Sequence, residues 1–129
     1  MKYLTAFFFC FLISQAAFCQ DIDFKKGIIS VDGKDCLKVN DSDANNVSFS
    51  DLEGNELFFL KFIRNSQYGP LYTRVTFLSQ KLSMTSKSYV FTKKLLVKKL
   101  LADGTLMNCA LVPAKVESFV LKYDENVEK

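Results

Sequence analysis

Histidine is missing from all 129 residues, and its absence removes whole classes of chemistry. A Ser-His-Asp triad and a Cys-His pair both need imidazole as the base that works near neutral pH. Zinc catalysis through imidazole ligands goes with them. Cysteine is scarce too: of four in the chain, only Cys36 and Cys109 lie beyond residue 19, and two thiols cannot complete a Cys₄ metal site. Arginine is scarcer still, since Arg64 and Arg74 are the only arginines among 17 basic residues. No two acids stand at functional spacing in an apolar setting, so a carboxylate-dependent enzyme is the least supported of the functional alternatives. Internal repeats and low-complexity segments are absent as well.

Lys2 opens the chain, an almost wholly apolar run follows from Tyr3 to Ile13, and Ser14 to Gln20 turns small and polar. This three-part plan is that of a secretory signal peptide, with an apolar run too short to span a bilayer. The competing interpretation is a buried helix or a retained anchor. Ala17 and Cys19 place the expected cleavage before Gln20, and Phe18 sits where a lipoprotein signal wants a small residue. The expected organisation is therefore a signal peptide over 1–19, one α+β domain over 20–123, and a charged tail over 124–129 that frays. The expected location is secreted or periplasmic, with no transmembrane span after cleavage. Loss of Lys2 lowers the net charge of +3 by one, too little positive field to make nucleic acid the partner. In an oxidising compartment Cys36 and Cys109 either bridge or remain two separate buried thiols; the sequence leaves both open. Asn40 and Asn46 lie in acceptor sequons for a host that glycosylates.

The centre of the chain is strand-like. Val47 and Phe49 alternate with serines, Asp51 to Asn55 supplies turn chemistry, and Leu57 to Ile63 is apolar on both faces. Such a strand belongs inside a sheet covered on both sides. Before it, Ile28 to Val31 and Lys34 to Val39 flank Asp32-Gly33, a strong signal for a hairpin turn with positive φ at both central residues. After it, Leu71 to Ser79 alternates again beyond the Gly69-Pro70 break. About five strands in antiparallel meander order are expected, followed by a polar linker over Lys81 to Ser88.

Two helices should close the chain. Tyr89 to Ala102 carries apolar residues at helical spacing, with Ser86 or Ser88 as cap and Gly104 as the left-handed stop. Thr105 to Leu111 reads either as a short strand or as an irregular connector. Pro113 opens the second helix, and Val116, Phe119, Val120 and Tyr123 form its apolar stripe. Strands followed by helices give an α+β domain, a small antiparallel β-meander with two C-terminal helices packed on the sheet.

The phenylalanine-rich leader ending Ala17-Phe18-Cys19-Gln20, the Asp32-Gly33 hairpin, and Asp103-Gly104 followed by the Val116, Phe119, Val120, Tyr123 stripe together resemble short secreted proteins of the Bacteroidota. The resemblance spans most of the chain beyond the leader and implies an exported bacterial protein. It brings no activity, cofactor or ligand set with it.

Three candidate sites remain. Asp41-Ser42-Asp43-Ala44-Asn45 opens like a calcium loop, but Asn46 stands where the sharp-turn glycine belongs and Leu52 where the bidentate glutamate belongs. No metal site is expected there, and no cofactor anywhere. Arg64, Tyr68, Tyr72 and Arg74 flank one loop; if their strands pair, the two guanidinium groups face each other across the ladder. Arginine grips carboxylate or phosphate in a fork that lysine lacks, and Arg and Tyr are enriched at binding hot spots. Against this stands an ordinary hairpin whose arginines lie along apolar surface. Lys93, Lys94, Lys98 and Lys99 form a cationic face suited to an anionic envelope surface. The apolar face of that same helix is, however, what the sheet needs as cover. The expected function is binding without catalysis, through the Arg/Tyr patch to an envelope protein or, alternatively, through the lysine face to an anionic surface.

Overall fold

A computed structural model describes residues 21–88 and 91–128. The expected signal peptide over 1–19, and Tyr89 and Val90 of the expected first helix, lie outside the described residues. Seven strands form one antiparallel sheet in sequential order, from β1 (Ile22–Lys25), β2 (Ile28–Val31), β3 (Lys34–Asp43) and β4 (Asn46–Ser50) to β5 (Glu56–Ser66), β6 (Gly69–Phe77) and β7 (Leu82–Ser86). Helix α1 (Lys93–Ala102), a small hairpin of β8 (Leu106–Met107) with β9 (Ala110–Leu111), and helix α2 (Pro113–Tyr123) follow. The α+β meander is as the sequence indicates, but with seven sheet strands instead of about five. The two additions are β1 and β7, the latter within what reads as a polar linker.

Turn chemistry explains the first strands. Asp32 and Gly33 sit at φ +53° and +82°, the pair a type I′ hairpin turn demands. Lys26 and Gly27, at +51° and +76°, repeat the device between β1 and β2, and this second turn makes Ile22–Lys25 a strand. Register shifts at Ile29/Ser30, between Asn40 and Asp43, and at Phe49/Ser50 add local twist to the first half of the sheet.

One face of the sheet carries the core. Phe49, Phe58 and Phe77 are fully buried neighbours across β4, β5 and β6, with ring centroids 4.6 Å apart for Phe49–Phe58 and 5.7 Å for Phe58–Phe77. Phe119 of α2 meets Phe77 edge-on at 6.1 Å. Leu96, Val97 and Leu100 of α1, with Val116, Phe119, Val120 and Tyr123 of α2, complete the cluster. The expectation of cover on both faces of β5 needs correction. Phe58 and Leu60 are buried, whereas Phe59 and Ile63 on the opposite face are only half-buried. Both helices lie on the Phe58 side, where the apolar stripe of α2 meets its match.

Helix α1 begins and ends as its residues dictate. The start of α1 is capped by Thr92, whose hydroxyl accepts from the Leu95 N–H at 3.1 Å, and not by Ser86 or Ser88; Ser86 belongs to β7. Past its end, Gly104 at φ +72° lets the Thr105 N–H reach the Leu100 carbonyl and its own N–H reach that of Leu101, a Schellman closure. Cys36 of β3 and Cys109 of the small hairpin are joined in a disulfide, with Cα atoms 5.0 Å apart and 73 positions between them in sequence. It ties the connector between the helices to the sheet.

The charged tail is ordered over Asp124–Glu128 and runs along β7. The Glu125 N–H donates to the Thr85 carbonyl at 2.8 Å, the Thr85 N–H to Asp124 Oδ1 at 3.0 Å, and the Val127 N–H to Thr85 Oγ1 at 2.8 Å. The segment expected to fray makes these contacts over 124–128, and Lys129 lies outside the described residues.

Candidate binding site

The β5–β6 hairpin sets the geometry. Its register pairs Lys61 with Arg74, Ile63 with Tyr72 and Arg64 with Leu71. Since side chains alternate between faces, Arg74, Tyr72 and Lys61 share the open face, while Arg64 lies on the face of Phe58. The two arginines therefore do not face each other. Arg64 is exposed and donates from Nε to Asn45 Oδ1 at 3.3 Å, so the four-residue patch divides. Tyr68 stays with Tyr72, their rings edge-to-face at 6.4 Å.

What gathers around Arg74 is a carboxylate. Arg74 donates from Nε to Glu128 Oε1 at 3.2 Å and from Nη2 to Glu128 Oε2, so the fork engages both oxygens. The Tyr72 hydroxyl, on a residue 1% exposed, donates to the same Oε2 at 2.7 Å. A bidentate guanidinium with a phenol is a specific way of holding a carboxylate. The Arg74 hydrogen bonds, then that of Tyr72, hold the Glu128 carboxyl below the usual range, and the charge of Lys61 adds to this. Burial, then the hydrogen bond to Glu128, pushes the Tyr72 phenol up. Lys87 reaches over the hairpin turn, and a Cβ on Gly69 would meet its Cε at 3.0 Å. Glu128, Lys61 and Lys87 escape sequence reasoning because none lies near Arg74 and Tyr72 along the chain.

A second carboxylate is held at the edge of β7. Glu125 Oε1 accepts from the N–H groups of Lys87 and Ser88 at 2.6 and 2.8 Å and from the Ser86 hydroxyl at 3.1 Å. The Ser88 side chain first, then these amides, lower the Glu125 carboxyl to about 2. A folded-state value below the unfolded one stabilises the fold at neutral pH, and that stabilisation is lost as pH falls from about 4.5 toward 2. Discounted for the exposure of this side chain, the loss should be on the order of 1–2 kcal/mol. Urea unfolding across that pH range checks it, because the Glu125→Gln variant should show a flatter dependence.

The lysine face is partly engaged. Lys93 pairs with Asp41, which holds the Asp41 carboxyl down, and Lys99 lies 5.8 Å from the centroid of the Tyr123 ring. Lys94 and Lys98 are exposed. The apolar side of α1 is buried in the core at Leu96, Val97 and Leu100. Among the described residues no helix is long and apolar enough to cross a membrane.

In the stretch with a calcium-loop opening, Asp43 accepts from the Asn45 N–H and from Asn46 Nδ2, both at 2.9 Å. Its carboxylate is thus turned into its own hairpin. No cluster of three or more potential metal-ligating Cys, Asp or Glu side chains occurs among the described residues. A cleft of about 540 Å³ opens beside the disulfide, between Lys34, Leu101 and Met107, but no set of polar groups converges in it as it does at Arg74. Comparison with protein-family models, with curated proteins and with solved structures finds no match for this chain.

Proposed function

We propose that this protein is a non-enzymatic binding module of the bacterial envelope or exterior, and that it grips a carboxylate of its ligand through Arg74 and Tyr72. The observation that carries this is the hold on Glu128, in which a guanidinium fork and a buried phenol converge on one carboxylate beside Lys61. The site lies on the sheet face opposite the helices, so a ligand reaches it without disturbing the core. Nothing in the arrangement activates a nucleophile or a water, and the role that fits it is recognition.

A labelled peptide of sequence Tyr-Asp-Glu-Asn-Val-Glu, copied from residues 123–128, is the probe. Fluorescence anisotropy should show binding that weakens with salt and falls by about tenfold or more in Arg74→Ala, as expected for a charge-assisted bidentate contact. Arg64→Ala should leave it unchanged, because Arg64 lies on the other face. If the peptide with both glutamates replaced by glutamine binds equally well, carboxylate recognition is wrong.

The exposure of Lys94 and Lys98 supports a second reading, a purely electrostatic association of α1 with an anionic envelope surface. Co-sedimentation with anionic vesicles should then be lost as salt rises through about 0.1–0.5 M. No sedimentation at low salt removes it.

A further inference from the structure

We propose that the Arg74–Tyr72 fork is a peptide-binding site kept occupied by the chain's own Glu128, and that an acidic, extended segment of a partner polypeptide takes the place of residues 124–128. The inference rests on the carboxylate-binding reading above and specifies its ligand and its control.

The occupying segment is built to leave. Tyr123 is the last residue of the chain's described part to enter the core. Beyond it the contacts are polar: Asp124 and Glu125 to β7 and the residues just after it, Val127 through its N–H to Thr85, and Glu128 to the half-buried Arg74 and the buried Tyr72 hydroxyl. Its departure removes no member of the hydrophobic cluster. Each of these hydrogen bonds is one that water or another chain replaces.

The surface it vacates defines the replacement. The N–H and C=O of Thr85 become available on the outer edge of β7, as in sites that add an extended peptide to a sheet. The amides of Lys87 and Ser88 wait for one carboxylate, and Arg74 with Tyr72 for a second. In the bound segment these positions belong to Glu125 and Glu128, so the ligand carries two acids with two residues between them. Arg74 in the fork and Lys61, whose charge acts on the bound carboxylate, select for negative charge.

A tethered segment competes at a high effective concentration, which lowers the apparent affinity for any ligand in trans. Removing the Glu128 carboxylate should therefore tighten binding of the free peptide to the full-length chain. With the same Tyr-Asp-Glu-Asn-Val-Glu probe, Glu128→Ala and Glu128→Gln should each bind about tenfold or more tighter than the wild type. Adding Arg74→Ala to either should abolish the gain. Thermal melts establish that the variants are folded, and the glutamine variant keeps the side-chain volume should the alanine variant not fold. Equal, Arg74-dependent binding to wild type and both Glu128 variants overturns the competition and leaves carboxylate recognition standing. Absence of binding to all of them overturns both.

Discussion

Replacing Phe58 by alanine should lower the unfolding free energy by about 4 kcal/mol, the scale of a large aromatic lost from a packed interior. Phe58 is fully buried, stacked on Phe49 at 15° between ring planes and tilted against Phe77 at 38°. β5 is paired on both sides, with β4 across the register shift at Phe49/Ser50 and with β6 in unbroken register from Phe58 to Arg64, so the backbone has little freedom to close over the void. For a domain of this size the melting temperature should fall by roughly 15 °C. Phe59→Ala makes the comparison. That ring is half-buried on the opposite face, where no helix packs, and its loss should cost about 1 kcal/mol. Equal losses for the two variants in chemical denaturation would mean that the open face is covered after all.

Reducing the Cys36–Cys109 bond should cost a similar amount. A cross-link closing 73 positions of chain restricts the unfolded ensemble by about 4 kcal/mol in the chain-entropy account. Denaturation with and without reductant, read by circular dichroism, measures it directly. A second effect separates geometry from chain entropy. Asn108 and Cys109 sit at φ +49° and +63°, the conformation of a type I′ turn, in which the second central residue is normally glycine. The disulfide thus holds a non-glycine residue where its Cβ is strained. In a Cys36→Ala background, Cys109→Gly should be more stable than Cys109→Ala by about 1 kcal/mol. If alanine is the better replacement, the turn relaxes once the bond is gone.

Some of this architecture was legible because it is written locally. Asp32-Gly33 fixes its own turn, and the stripe from Val116 to Tyr123 fixes its own helix, whatever the rest of the chain does. What escaped is non-local. β7 reads as a polar linker because Thr85 and Ser86 find partners far along the chain, and Asp124–Glu128 reads as a frayed tail for the same reason. Each supplies the other's hydrogen bonds across about 40 positions of chain, and a sequence window sees only half of the pair. The pairing of Arg64 with Arg74 failed on register. Arg74 opposes Lys61, three positions before Arg64, and an odd offset moves a side chain to the other face. The residue types at the site were visible, but the Glu128 that completes it was not.

The two rims of the sheet are unequal. At one rim the segment after α2 blocks Thr85; at the other, no strand among the described residues lies outside β1. A molecule with a single open rim can join one neighbour through it, and pairing then stops at a closed dimer. Were both rims bare, copies could stack rim to rim without limit, into the ribbons from which fibrils grow. The contacts of Asp124, Glu125 and Val127 with Thr85, made by the same segment that places Glu128 in the Arg74 fork, should then also act as a chain terminator against self-polymerisation.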